Sequence, residues 1–325
     1  MNIIETAMEA LRNKDTIFIK SDSDLKDRYD ALNKLSSKYP NNNDLLNELY
    51  TIKRGLKGEE EISYQLKKAN IGMYVLRDVK VKYNDLSAQI DYIVITPIYI
   101  YYIECKNLVG NITVNEKGDF IREFTINGKT IKKGIYSPLR QVEAQRDVIR
   151  KIWEGKTNKI IKLFASKNFE YYRRVLVVTS NHDTILNTKN APKDIKYKIL
   201  RADNLVRQIK YDLEHRKTDD YLSSNKEMEA SAKAYLELCS FEKIDYYEYY
   251  KNKFIKDDLK ERLILLRKNR AKQMHIPPYY IFTDNELDNL LKYRPKNMEE
   301  LQKFNILPSI KLNIHGNEII NEINK

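Results

Sequence analysis

Between about residues 74 and 126 the apolar positions recur at a spacing of two, the pattern of strands pressed against a core. Runs rich in β-branched and aromatic residues cover about 74–82, 89–96, 98–106, 111–115 and 119–126. Asn127-Gly128 then predicts a two-residue hairpin turn into 129–132. Val175, Leu176, Val177 and Val178 form an unbroken apolar run over Arg174 to Thr179, which predicts a strand buried on both faces. A short strand follows at about 197–201.

Elsewhere the period lengthens to that of a helix. Leu25, Tyr29, Leu32 and Leu35 recur behind Ser23, and Leu45, Leu46, Leu49 and Ile52 behind Asn42 and Asn43, so residues 1–54 are expected to be a mostly helical extension. Gly55-Leu56-Lys57-Gly58 is expected to interrupt that pattern, with a new helix over Glu59 to Lys68 that turns Ile62 and Leu66 inward. Pro138 suits the first turn of a helix carrying Gln141, Gln145, Val148, Ile149 and Ile152, and another helix is expected from Asp203 to about Arg216. Residues 216–255 turn polar and then tyrosine-rich (Tyr246, Tyr247, Tyr249, Tyr250), which predicts a helical linker whose aromatics pack between domains, a base-stacking surface being the alternative. From 256 to 325 only helical signals occur: Leu259, Leu263 and Leu266 on one helix, and Ile314, Ile319, Ile320 and Ile323 on another. Between them, Thr283-Asp284-Asn285-Glu286 and Asn297-Met298-Glu299-Glu300 have the spacing of capping boxes. The expected architecture is an α/β domain over 55–215, a mixed central sheet flanked by helices, followed by an all-α C-terminal helical bundle.

Composition narrows the partners. The 325-residue chain carries a net charge of +12, which favours an acidic partner, nucleic acid first and an anionic membrane surface second. Two cysteines, Cys105 and Cys239, each in apolar surroundings, argue against a disulfide framework and for a reducing compartment. The start, Met1-Asn2-Ile3-Ile4-Glu5, lacks the layout of a secretory leader, and no apolar run is long enough to span a bilayer, so a cytoplasmic protein without a membrane partner is expected. His182, His215, His275 and His315 are scattered without cysteine pairs, which excludes the usual zinc modules, and no Walker-type loop marks an ATP motor.

The chemistry concentrates at Glu104-Cys105-Lys106, the end of the apolar run that opens with Gln89-Ile90-Asp91. Alternation puts Glu104 and Lys106 on one side of a strand and Ile103 and Cys105 on the other. Charges on so apolar a strand are costly without partners. If the run folds as a hairpin, Asp91 comes beside Glu104, and two carboxylates share a pocket with a lysine. Phosphodiester hydrolysis needs a cation there, because carboxylates alone repel the phosphate. Mg2+ on one or two carboxylates reverses the sign and lowers the pKa of a bound water, which Lys106 would orient. A second Glu-x-Lys, Glu154-Gly155-Lys156, falls at a helix end and is read as chance. From the residues alone, a catalytic site and a structural ion pair at a sheet edge both remain open.

Gly55-Leu56-Lys57-Gly58-Glu59, Gln89-Ile90-Asp91, Glu104-Cys105-Lys106-Asn107 with Gly110, and Pro138 with Gln141, in this order, resemble the nuclease-related domain (NERD) over about residues 55–210. That family is similar to the PD-(D/E)XK restriction-endonuclease-like superfamily. The resemblance implies a restriction-endonuclease-like sheet, Asp91 and Glu104 as metal ligands, Lys106 as catalytic lysine, Glu59 as an accessory acid and Gln141 pointing into the site. It implies Mg2+ as cofactor, with Mn2+ able to substitute. Plainer readings stand beside these roles: Glu59 lies in an acidic run at an expected helix start, where the helix dipole favours acids. Gln89 is a possible partner of Asp91 or a polar edge residue, Gln141 and Gln145 suit a solvated helix face equally well, and Cys105 is expected in the core.

Residues from about 256 on resemble the helicase and RNase D C-terminal (HRDC) domain, through Leu263-Ile264-Leu265-Leu266-Arg267, Ala271, Ile276 to Asp284, Leu287, Pro295 and His315-Gly316. The resemblance implies a small helical bundle that binds nucleic acid. Asn305 and Leu307 stand where the family usually has glycines, so phosphate binding by that turn does not carry over. Arg267, Lys268, Arg270, Lys272, Lys292, Arg294 and Lys296 are the candidate backbone contacts, against a plain solvated basic face. The expectation is a Mg2+-dependent nuclease acting on DNA, with a helical tail that assists binding. The rivals are a non-catalytic nucleic-acid-binding protein with a nuclease-like fold, and an adaptor that recruits a helicase or other repair protein.

Overall fold

The computed structural model describes residues 13–156, 168–240, 244–255 and 259–324; the opening stretch Met1-Asn2-Ile3-Ile4-Glu5, read above for a leader, lies outside them. The chain divides into two compact units, Met1–Tyr247 and Glu248–Lys325. No described helix is long and apolar enough to cross a membrane.

The first unit is built on a mixed six-stranded sheet. Its strands are β1 (Thr16–Lys20), β2 (Met73–Tyr83), β3 (Leu86–Ile95), β4 (Ile100–Lys106), β8 (Arg173–Thr179) and β10 (Ile199–Arg201), in the order β1-β2-β3-β4-β8-β10. The neighbours β2, β3 and β4 are antiparallel, and β1, β8 and β10 join in parallel. A smaller four-stranded sheet uses β5 (Asn111–Val114), β6 (Phe120–Ile126), β7 (Lys129–Ile135) and β9 (Leu186–Asn187), in the order β7-β6-β5-β9.

The alternation read from the sequence separates two apolar layers. Ile93, Ile95, Tyr102 and Val175 pack with Val142 and Ile149 of α3 (Pro138–Lys156) and with Met228 and Ala232 of α6 (Asn225–Leu238). Their strand neighbours Val94, Tyr101, Ile103 and Leu176 pack with Ile62 and Leu66 of α2 (Asn43–Lys67) and with Leu205 and Ile209 of α5 (Ala202–Glu214). Each of the buried Val, Leu, Ile and Met side chains among these contributes about 1.5–3 kcal/mol by leaving water. Tyr102 is fully buried, and its hydroxyl meets that of Tyr235 at 2.6 Å, so the layer leaves no phenol unpaired there.

Several expectations are corrected. Thr16–Lys20, inside the segment read as helical, is a strand paired in parallel with β2, because the β-branched and aromatic run Thr16-Ile17-Phe18-Ile19 completes the sheet edge. The strand expected from 98 begins at Ile100, since Thr96 and Tyr99 close a turn through Thr96 N–H donating to Tyr99 O at 2.9 Å. Residues 225–238, expected within a linker, form a helix buried on the first unit's sheet, and Cys239 pairs with Val81 of β2.

The sharpest correction concerns the glycines. No interruption occurs at Gly55-Leu56-Lys57-Gly58; α2 runs straight through, after α1 (Asp24–Lys38). Gly58 is there for clearance rather than for flexibility. A Cβ at that position would lie 2.6 Å from Ser180 Oγ, 2.7 Å from Asn107 Cβ and 3.3 Å from Cys105 Sγ. The helix passes so close to the ends of β4 and β8 that a methyl group does not fit.

In the second unit α8 (Leu259–Met274), α9 (Asp284–Tyr293), α10 (Met298–Lys303) and α11 (Ser309–Ile323) enclose Leu263, Phe282, Leu290, Leu301 and Ile319. The capping box at Thr283 forms with Glu286 as expected. Asn297 caps the Glu300 amide at 2.8 Å, whereas Glu300 reaches Lys296 N–H at 2.8 Å instead of the cap residue. Ile306 and Leu307 turn into the core.

Gly58→Ala is expected to destabilise the first unit by about 1–3 kcal/mol through overpacking. Gly55→Ala, which meets only the flexible Leu25 side chain at 3.2 Å, should fall within about 1 kcal/mol of the parent. Urea denaturation of both variants checks the contrast.

Candidate active site

The β3–β4 ladder ends with Tyr92 opposite Ile103. Asp91 and Glu104 occupy the next position. There the backbone pairing stops, and the Asp91 side chain takes over: Cys105 N–H donates to Asp91 Oδ2 at 2.7 Å. Glu104 is buried, only 2% exposed. Lys106, two residues on and therefore on the same face, donates from Nζ to Glu104 Oε1 at 2.5 Å and to Gln141 Oε1 at 3.1 Å. Helix α3 thus closes the pocket from above. Gln145, one turn after Gln141, donates from Nε2 to Glu104 Oε2 at 3.3 Å. Its other amide atom, Oε1, is buried with no hydrogen-bond partner among the described residues.

Glu59 comes from the helix on the other face of the sheet. Its Oε2 accepts from Arg77 Nε at 2.8 Å and from Ser23 Oγ at 2.9 Å, and its backbone carbonyl accepts from Tyr92 OH at 2.6 Å. The Glu59–Arg77 pair is almost entirely out of water. Burial pushes the Glu59 carboxyl above its usual range despite Arg77. Gln89, a possible partner of Asp91, instead donates to Asp78 Oδ1 at 2.7 Å. Asp78 is itself buried, with a φ of 52°, and its Oδ2 takes the Asp24 amide at 2.7 Å.

The electrostatics of Asp91 are unusual. Burial pushes its carboxyl well up, and the neighbouring charges of Glu104 and then Glu59 push it further; the Cys105 amide and the Lys106 ammonium only partly offset them. Two carboxylates crowd a site that holds one ammonium. Such an arrangement is what a cation relieves. Among the described residues no group of three or more His, Cys, Asp and Glu is placed to hold a metal. Two carboxylates are nonetheless the donor set that Mg2+ uses when substrate phosphate and water complete its shell.

Cys105 lies on the far face, partly packed against the layer under α2, with Sγ 3.6 Å from Ser180 Oγ. Burial pushes its thiol well above the ordinary range, and Asp91 adds to the shift, so it stays protonated and is no nucleophile. The other Glu-x-Lys supplies no site: Glu154 pairs with Arg150 at 2.9 Å along α3.

Sequence reasoning missed Arg77, Ser23, Asp78 and the contact of Gln145. One signal was available. Arg77-Asp78 interrupts an otherwise apolar stretch from Tyr74 to Val79, and a charged pair in such a setting needs partners.

In the second unit the candidate basic residues divide. Arg267 pairs with Asp284 at 2.8 Å and donates to the Phe282 carbonyl, and Arg270 pairs with Glu318 at 2.5 Å. Lys268, Lys272, Lys292, Arg294 and Lys296 are exposed.

Two protein families match parts of the chain. Residues 54–180 match the nuclease-related domain, NERD. The match begins on α2 just ahead of Glu59, takes in Asp91, Glu104, Lys106, Gln141 and Gln145, and ends at Ser180 beside Cys105. A second family, the HRDC domain, matches residues 256–323, which take in α8 to α11. No curated protein and no solved structure matches the chain.

The raised Asp91 carboxyl sets a pH dependence for the metal-free protein. The folded form binds its proton more tightly than the unfolded chain, whose carboxyl titrates near about 3.9, so stability falls as pH rises through the raised value. Asp91→Asn keeps the acceptor for Cys105 N–H and is expected to flatten that fall and raise the melting temperature at neutral pH in EDTA. Thermal melts of parent and variant across pH test it. Arg77→Met, which strands the buried Glu59 charge, is expected to lose about 3–5 kcal/mol in urea unfolding.

Proposed function

We propose that the chain is a Mg2+-dependent nuclease that hydrolyses phosphodiester bonds of DNA, with the HRDC unit assisting binding. The observation that carries this reading is the convergence of Asp91, Glu104 and Lys106 where the β3–β4 ladder ends, inside the segment that matches NERD. Asp91 and Glu104 would hold Mg2+, with Mn2+ as a substitute; when bound, the ion neutralises the phosphate and acidifies a coordinated water. The crowded carboxylates and the unpartnered Gln145 Oε1 fit a hydrated cation.

The chain's own groups have distinct tasks. Lys106 orients the attacking water and holds positive charge beside the phosphate, with Nζ kept in place between Glu104 and Gln141. Gln141 and Gln145 are positioning residues, one for Lys106 and one for Glu104. Glu59 is committed to Arg77 and Ser23, so its contribution is the negative charge it adds near Asp91. On the second unit, Lys268, Lys272, Lys292, Arg294 and Lys296 give a sequence-independent hold on the backbone, because Arg267 and Arg270 already serve internal ion pairs.

Alanine at Glu104 or at Lys106 is expected to lower Mg2+-dependent cleavage by at least about 10²–10⁴-fold while most DNA binding is retained. A panel of single-stranded, double-stranded, nicked and branched substrates, run with circular dichroism of each variant, measures this. Parental cleavage by both variants would overturn the assignment.

A further inference from the structure

The β6–β7 hairpin is anchored in the first apolar layer at its base, through Phe120 and Ile135, and extends away from it towards its tip. β7 is exposed along nearly its whole length, and the turn forms through Asn127 and Gly128 with φ of 49° and 75°. Across the ladder Arg122 faces Lys133, Phe124 faces Ile131, and Ile126 faces Lys129. Alternation places all six on one side of the ribbon, which therefore carries three cations and no acid. On the opposite side Glu123 faces Lys132 and pairs with it at 3.7 Å. The two sides differ in kind.

Like charges directly opposite each other weaken a ladder, yet Arg122 and Lys133 occupy such a pair. They are spread over an aromatic instead of paired with carboxylates: Arg122 lies 4.5 Å and Lys133 5.8 Å from the Phe124 ring centre. Arg122 Nε also donates to Val109 O at 2.6 Å, which anchors it three residues beyond Lys106. A third cation meets it there. Arg54 of α2 donates to Asn107 O at 3.0 Å and accepts from Asn107 Nδ2 through its own carbonyl at 2.7 Å. Arg54 is close enough to Arg122 that, after burial, its charge is what pushes the Arg122 pKa down. Among the described residues, none of Arg54, Arg122, Lys129 and Lys133 forms an ion pair with a carboxylate. The chain thus places four cations, with an apolar strip beside those of the ribbon, between the Asn107–Val109 segment that follows β4 and the hairpin tip.

We infer that this face of the β6–β7 hairpin, with Arg54, grips the phosphate backbone of duplex nucleic acid leading away from the Asp91–Glu104–Lys106 site. The inference rests on the nuclease reading for the class of partner. A polyanion resolves the unfavourable Arg122–Lys133 and Arg122–Arg54 neighbours at once. A two-stranded ribbon also fits the roughly 12 Å major groove of a duplex, where Ile126 and Ile131, 51% and 38% exposed, meet sugar and base edges.

The test is binding of a labelled 30-base-pair duplex to the full chain in EDTA, followed by anisotropy over a salt series. Arg122→Gln with Lys129→Gln and Lys133→Gln is expected to weaken binding by about 10-fold or more and to make the slope of log K against log salt shallower by about 2–3, near 0.9 for each lost phosphate contact. The exposed pair Lys129→Gln with Lys133→Gln alone should remove about two-thirds of that change and leaves the core untouched. Lys132→Gln, on the neutral side, should leave the slope as it is. A parental slope in the triple variant, an equal loss from Lys132→Gln, or no salt-dependent duplex binding by the parent would overturn the inference. Because no metal is present, cleavage by Glu104→Ala bears on the nuclease reading alone, and the slope bears on the hairpin alone.

Discussion

Everything at the site depends on two carboxylates being held together where two strands stop pairing. Asp91 and Glu104 repel each other, and the pocket is sheltered from the water that would screen them. The fold restrains that repulsion from several directions. The Cys105 amide holds Asp91, Lys106 and Gln145 hold Glu104, and Gln141 holds Lys106. These partners come from β4 and α3, and Asp91 itself from β3, so the sheet and its covering helix must both be in place before the charges can meet. Positioning of this kind is what makes a site stiff enough for chemistry.

The opposite face of the sheet makes a second contribution. Glu59 is held between Arg77 and Ser23, elements that otherwise belong to β2 and to the start of α1. Its charge is compensated locally, yet still acts on Asp91. Asp78 repeats the device next to it, with Gln89 and the Asp24 amide as partners. Buried acids therefore line both sides of the strand ends, each tied to a separate donor set. At the Asp91–Glu104 pair two carboxylates share the single ammonium of Lys106.

Much of this was legible in the residues. Period-two alternation gave the β3–β4 hairpin and the side on which Glu104 and Lys106 project, because strand geometry leaves no freedom there. Asn127-Gly128 located a turn that forms as expected, for the same local reason. The glycines before Glu59 misled, because their cause is long-range: Gly58 answers to Ser180, Asn107 and Cys105, which lie 47 or more residues away along the chain. β1 was missed because five residues beside strong helical periodicity carry little signal until a partner strand is known. Arg77 and Ser23 were invisible as partners of Glu59 because only folding brings them together.

The parallel pairing of β1 with β2 has an implication for where this protein can be cut. The NERD match starts at residue 54, but the sheet starts at Thr16, and the crossover between them is α1 and α2. A fragment begun at the family boundary would leave the long strand β2 with an open row of amides and carbonyls, a template for intermolecular pairing. It would also remove the hydroxyl that shares Glu59 with Arg77. The framework of the first unit therefore reaches beyond the family boundary, and the N-terminal arm from Thr16 belongs to it.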